Sequence, residues 1–278
     1  MRVHLCGVRG STPAPGAEFV RYGGHTPCVA IAHDGAERPT LILDTGTGVR
    51  TVPALLGGEP FIGTILYSHL HWDHFHGLPF FASAAMPGAR TTLLYPEPVP
   101  PVADAEALLE RAMSPPHFPV TPNELAGEWT FATLPEGEHE LEGFSVLARE
   151  IPHRGGRAFG YRISDGRTAL AYMPDHGATQ LGPGEDGLGA YHPAALALAR
   201  EVDWLIHDAT LMAEELTTPE GNLGHSAAEY VVALAARAGA RTPVLFHHGP
   251  ERTDTQLDAL AARLPGAIVA AQGSVLER

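Results

Sequence analysis

Hydrophobic residues fall in short runs along this chain, separated by stretches rich in glycine, proline and polar residues. Short apolar runs bounded by turn formers are strand signals. They predict strands at 2–8, 28–32, 40–43, 61–67, 91–95, 129–134, 144–151, 158–163, 169–173, 202–206, 243–246 and 267–271. Helical spacing appears at 78–85, 102–113, 192–200 and 253–264, and a further helix runs from 226 to about 238. Ser226 and Glu229 have the capping-box spacing, which fixes the start of that helix. The glycine-rich stretch 177–191 reads as a loop. The proline-rich 113–119 reads as a surface connector, with a lid as the alternative. No repeat or inter-domain linker interrupts the pattern, so 1–278 is expected to be one domain.

The polar positions carry the chemistry. Run 61–67 gives way to Ser68-His69-Leu70-His71-Trp72-Asp73-His74-Phe75-His76-Gly77, so the histidines begin where a buried strand becomes a loop. His69 and His71 are two apart and point to the same side of an extended backbone. Asp73 and His74 follow on a turn and can face back into the same space. Imidazoles and a carboxylate at this spacing form a ligand set suited to zinc, manganese or iron. The alternative is a histidine-rich surface loop, against which the position at a sheet edge weighs.

His-x-His-x-Asp-His after a buried strand resembles the metallo-β-lactamase superfamily, and the family's remaining motifs follow in order over nearly the whole chain. The resemblance implies an α/β fold, a four-layer αβ/βα sandwich of two facing mixed sheets with metals at one rim. It assigns His69, His71 and His153 to one ion, Asp73, His74 and His247 to a second, and Asp175 as the bridge. Two divalent ions, zinc or else manganese or iron, are the implied cofactors. Asp44, in the Asp44-Thr45-Gly46 turn, would support the histidines from behind. Asp-Thr-Gly also marks aspartic proteases, but those need two copies and one is present. Gly46-x-Gly48 faintly matches a dinucleotide fingerprint, yet Thr51 stands in the third glycine's place. His247 is preferred over His248 because it directly follows its strand, and His176 and His117 are not assigned as ligands.

Two further stretches resemble a phosphodiesterase-like branch of that superfamily. The opening Gly7-x-Arg9-Gly10-Ser11 and Gly23-Gly24-His25-Thr26 match its pattern, except that His25 replaces an asparagine and is given no role. Arg9 is a candidate to meet a substrate phosphate through its planar fork, or equally to brace the loop. Gly224-His225-Ser226 resembles a helix start in tRNA 3′-end endonucleases and related phosphodiesterases. It implies that His225 assists the leaving group, oriented by Asp208; Asp73 joins these two among the catalytic residues. The implied reaction is cleavage of a small, cyclic phosphodiester by a hydroxide held between two ions, with His225 as general acid.

Composition narrows the partners. Formal net charge is -14, and the cationic residues are all arginine. An acidic surface repels phosphate backbones, which favours a small diester over a polynucleotide and leaves the tRNA 3′-end endonuclease as the alternative. A hydrophobic content of 44% with 18% charged residues is that of a soluble globular protein. Cys6 and Cys28 form no CxxC pair, the first residues lack an apolar signal core, and no run approaches a membrane span. A cytoplasmic location without membrane contact is expected, with room for a homodimer. Other classes remain: a thioester hydrolase, an iron-dependent oxidoreductase, or a metal-binding sensor without turnover. Glyoxalase II reads His-Thr-Pro-Gly-His where this chain has Ile151-Pro152-His153, and flavodiiron proteins put glutamate at the place of His71.

Overall fold

The computed structural model describes residues 1–99 and 105–278. Among these, one sheet contains β1 (Arg2–Gly7), β2 (Cys28–Ala32), β3 (Leu41–Leu43), β4 (Ile62–Leu66), β5 (Arg90–Pro96) and β6 (Glu128–Leu134). The other contains β7 (Gly137–Leu141), β8 (Phe144–Ile151), β9 (Ala158–Ser164), β10 (Ala169–Met173), β11 (Trp204–Asp208), β12 (Thr242–Phe246) and β13 (Ile268–Val269). The last strand, β14 (Val275–Glu277), returns to the first sheet. Strand orders are β14-β1-β2-β3-β4-β5-β6 and β13-β12-β11-β10-β9-β8-β7. Both sheets are mixed. β1, β2 and β3 run antiparallel before β3–β6 turn parallel, and β7–β10 run antiparallel before β10–β13 do the same.

The central parallel strands β3, β10, β11 and β12 are largely apolar and buried because both of their faces are covered. Leu41, Leu43, Leu170, Tyr172, Ile206, Val244 and Phe246 meet between the sheets. The intervening Ile42 and Ile65 face outward under α1 (Val52–Leu55), α2 (Trp72–Phe75) and α3 (Glu106–Glu110). Ala171, Met173, Leu205 and Leu245 face outward on the second sheet, under α4 (Pro193–Ala199), α5 (Ala228–Ala238) and α6 (Asp254–Arg263). Each buried Leu, Ile or Phe contributes about 1.5–3 kcal/mol, so the period-2 alternation drives both layers of contact at once. The result is the four-layer αβ/βα sandwich. Among the described residues no helix is long and apolar enough to cross a membrane.

Several elements differ from the sequence expectation. Stretch 78–85 is two 3₁₀ turns, Leu78–Phe80 and Ala82–Ala85, because Phe81 leaves helical geometry (ψ 88°) to bury its ring. Of the helix expected at 102–113, α3 covers only Glu106–Glu110, and positions 102–104 lie outside the described residues. The helix expected from Ser226 begins at Ala228. Ala227 forms a β-bridge with Leu211, which keeps the chain extended one residue longer. Ser226 consequently donates to the His176 carbonyl, and Glu229 accepts from the Ala213 N–H instead of closing a capping box. The capping box at α6 does form, Thr253 accepting from the Gln256 N–H. β7 and β14 were not anticipated. β7 is a charged edge strand, returned to β8 by a two-residue turn in which Glu142 and Gly143 both have positive φ.

The topology sets where chemistry can occur. β3, β4, β8, β10, β11 and β12 all end on one rim, and the loops that leave them converge there.

Candidate metal centre

β4 ends at Leu66 and delivers Ser68, His69 and His71 in extended backbone before α2 begins at Trp72. α2 turns Asp73 and His74 back toward the rim, both buried. From the facing sheet, His153 follows β8, Asp175 follows β10 and His247 follows β12. Asp44 and His247 hold left-handed backbone (φ 56° and 57°) at the ends of β3 and β12. Strain of roughly 1–3 kcal/mol at each turns the chain sharply off its strand.

The cluster is tight. His69, His71, His153 and Asp175 offer ligand atoms within 4.8 Å of one another, and so do Asp73, His74 and His247. Asp175 joins the two groups with different oxygens. Its Oδ1 lies 3.1 Å from His74 Nε2 and 3.0 Å from His247 Nε2, while Oδ2 lies 3.5 Å from His69 Nε2 and 3.3 Å from His153 Nε2. Asp73 Oδ2 is 3.0 Å from His247 Nε2 and accepts a 2.9 Å bond from the Ser11 N–H. A third group, Asp175, His225 and His247, overlaps the second.

Partners behind the rings fix which nitrogen faces the cluster. His153 Nδ1–H donates to the Gly224 carbonyl at 2.9 Å, which leaves Nε2 as a lone pair. His74 Nδ1–H donates to Asp44 Oδ2 at 2.8 Å. The Ser68 hydroxyl donates to Asp44 at 2.8 Å and so accepts from His69 Nδ1–H at 3.0 Å. Thr210 Oγ1 donates to Asp208 and accepts from His247 Nδ1–H at 2.9 Å. His71 is the exception: its Nδ1 faces inward, 3.1 Å from His153 Nε2. Its Nε2 packs so close to Gly155 that a Cβ there would come within 2.8 Å.

These donors fit metal ions. His69 Nε2, His74 Nε2 and Asp175 Oδ1 are buried without a hydrogen-bond partner among the described residues, a costly state that a cation relieves. In the ion-free cluster, protons do part of that work. Burial lowers His247, but Asp175 and Asp73 more than reverse this and push it up to about 10. Burial raises Asp73 and Asp175, yet the surrounding histidines hold both below the usual carboxylate range.

His225 sits just outside this shell. Its Nδ1–H donates to Asp208 Oδ2 at 3.0 Å, and its ring stacks on His247 with centroids 5.2 Å apart. Burial lowers its pKa, but the Asp208 charge and hydrogen bond outweigh that and raise it. Asp208 is fully buried and also accepts from the N–H groups of His176, Thr210 and Ser226. His225 lines a cavity of about 410 Å³ with Ser11, Leu70, His71, Trp72, Asp73 and Asp175.

Other candidates lie elsewhere. Arg9 is fully buried, and its guanidinium donates to the carbonyls of Gly23, Gly249 and Arg252 at 2.7–3.3 Å. These contacts are those of the loop-bracing alternative, and Arg9 is not among the residues that line this cavity. His25 Nδ1 lies 3.1 Å from Thr47 Oγ1, away from the cluster. His248 Nε2–H donates to the Ala270 carbonyl at 2.8 Å, so His247 is the member of the pair that reaches the site. His176 is buried and pairs with His207. Among the described residues none of 113–119 lines the cavity, and Phe118 packs edge-on against Phe80. Supports that sequence reasoning missed are Ser68, Thr210, Gly155, Gly224 and Tyr172. Tyr172 gives no sequence signal, since it crosses the core from β10 to donate to Asp44 at 2.8 Å.

Comparison with known proteins agrees with this geometry. A family model described as the β-lactamase superfamily domain matches residues 40–248. Ribonuclease Z of Salinibacter ruber is 28% identical over 289 residues, spanning 88% of this chain and 87% of its own length. A diphosphatase of the PhnP family superposes with a TM-score of 0.72 at 20% identity, over 100% of this chain and 97% of its own. Human tRNase Z, short form, gives 0.67 at 20% identity, over 100% and 99%. At such identity the two structures speak for the fold alone.

Proposed function

The chain belongs to the metallo-β-lactamase superfamily, and from that premise we propose that it is a phosphodiesterase using two divalent ions on a small phosphodiester, cyclic or open-chain. The observation that carries this reading is Asp175, whose two oxygens face two separate histidine sets. We assign His69, His71 and His153 to one ion and Asp73, His74 and His247 to the other, with Asp175 shared. Bound there, the ions would supply an activated water and neutralise charge on the phosphoryl oxygens.

The chain's own residues do the rest. Asp44, Ser68, Thr210 and the Gly224 carbonyl hold four imidazoles with one nitrogen inward, so orientation precedes substrate. His225 carries its proton toward the cavity while Nδ1–H stays on Asp208, the arrangement of a general acid. Asp208 keeps that imidazole charged and fixed, and transfers no proton to substrate. Ser11 secures Asp73 through its N–H.

A tRNA 3′-end endonuclease is the second reading, favoured by the Ribonuclease Z relative that spans most of this chain. Against it stand the net charge of -14 and a cavity lining without arginine among the described residues. The test is metal content measured beside hydrolysis of bis(p-nitrophenyl) phosphate, cyclic nucleotides, cyclic phosphoribose, a thioester and a precursor tRNA. Faster turnover of small diesters is expected. Accurate, efficient removal of tRNA 3′ trailers would promote the endonuclease, and thioester hydrolysis alone would remove both.

A further inference from the structure

Trp72 stands between two residues of the metal cluster, His71 and Asp73, and begins α2. The residue is 72% exposed, although an indole is among the costliest groups to leave in water. Of the three tryptophans, Trp204 is buried and Trp129 donates its indole N–H to Ala126. The Trp72 indole makes no ring contact or hydrogen bond among the described residues, yet the residue lines the cavity that holds Asp175 and His225. Its sequence neighbours His71 and Asp73 both belong to the cluster, which holds the Trp72 backbone at the edge of the cavity.

The cavity lining explains what such a ring could be for. Among the described residues the lining has no arginine; apart from His71, Asp73 and Asp175 of the cluster, it offers a substrate an indole, Leu70, Ser11 and His225. Those groups attract a planar, uncharged ring rather than further phosphates. Base–aromatic stacking works with any nucleobase because each has a π-face. About 410 Å³ is room for one nucleoside unit beside the ions.

We propose that Trp72 is the specificity-determining residue of this site, stacking on the nucleobase of a nucleoside-bearing diester. The inference rests on the phosphodiesterase reading and narrows it, since a cyclic phosphoribose without a base would gain nothing from the indole. Two esters with the same leaving group isolate the effect: p-nitrophenyl thymidine 5′-phosphate and methyl p-nitrophenyl phosphate. In Trp72→Ala the ratio of kcat/KM between them should fall about tenfold, within the range stacking supplies, mostly through KM. Trp72→Phe should keep most of the ratio, and both variants should bind as much metal as the parent. A ratio unmoved in Trp72→Ala would overturn the proposal.

Binding to the metal-loaded protein supplies a readout that does not need turnover. AMP should quench tryptophan fluorescence, ribose 5-phosphate should not, and the AMP quench should vanish in Trp72→Phe. Equal quenching by both ligands, or a quench that survives in Trp72→Phe, would also overturn it. If neither ester is cleaved while the AMP quench behaves as described, the phosphodiesterase reading fails and the stacking site stands.

Discussion

Two buried aspartates anchor opposite sides of the rim, and the difference between them is instructive. Asp44, on the first sheet, accepts from the Ser68 N–H and hydroxyl, His74 Nδ1–H and the Tyr172 hydroxyl. Asp208, on the second, accepts from three backbone N–H groups, the Thr210 hydroxyl and His225 Nδ1–H. Each is a saturated carboxylate behind an imidazole. His74 is fully buried, with Nε2 turned into the ligand cluster, whereas the His225 side chain keeps 13% of its exposure and borders the open cavity. On the proposed reading, the same pair of groups would fix a ligand in one place and poise a proton in the other. What decides is the surroundings of the far nitrogen.

The largest expected effect breaks the link between the two sides. Asp175→Ala should bind fewer than two ions per chain and abolish diester hydrolysis, read by elemental analysis and rate. Full occupancy in that variant would remove Asp175 as the bridge.

His225→Ala probes the second side alone. It should keep both ions and much of its activity on bis(p-nitrophenyl) phosphate, whose leaving group departs unprotonated. On a diester with an alkoxide leaving group it should lose roughly 10²–10⁴ in rate. Asp208→Ala should show the same selectivity in weaker form. Equal losses on both substrates would make His225 a positioning group, and loss of metal would make it a ligand.

Asp44→Asn probes the first side. Deprived of its anionic partner, His74 should hold its ion about 10–100-fold more weakly, measured by chelator competition, with no selectivity between leaving groups. A leaving-group preference in this variant would erase the contrast between the two aspartates.

The smallest effect is in pH. In the ion-free protein His247 is raised from 6.5 to about 10, so its protonated form stabilises the fold. That contribution is complete below about 6.5 and is lost as pH rises through about 10. Thermal melts of the ion-free protein should therefore fall across that window, and a divalent ion should flatten the slope by displacing the proton. Ion-free melts that stay level from 6.5 to 10 would contradict the cluster's charge balance.

Legibility in the sequence follows the same division. The first side was plain, because His69, His71, Asp73 and His74 come from one short segment whose backbone direction follows from a single strand end. On the second side, His153, Asp175 and His247 each end a different strand, and only family order singled them out. The sandwich itself was readable from apolar runs with period-2 faces. β7 was not, since Gly137–Leu141 carries charge on an edge where no face demands apolar residues. The start of α5 was misread because Ser226 is claimed by a tertiary bond to His176, which local spacing cannot reveal. Arg9 was ambiguous for a related reason: its carbonyl partners Gly249 and Arg252 lie at the other end of the chain.

The most direct test of the two-ion account is a titration of the ion-free protein with a divalent metal. Bound ions per chain and hydrolysis of bis(p-nitrophenyl) phosphate should be followed together. The account predicts a rate that rises with occupancy and levels off at two ions per chain. A plateau at one ion, or no hydrolysis with two bound, would contradict it.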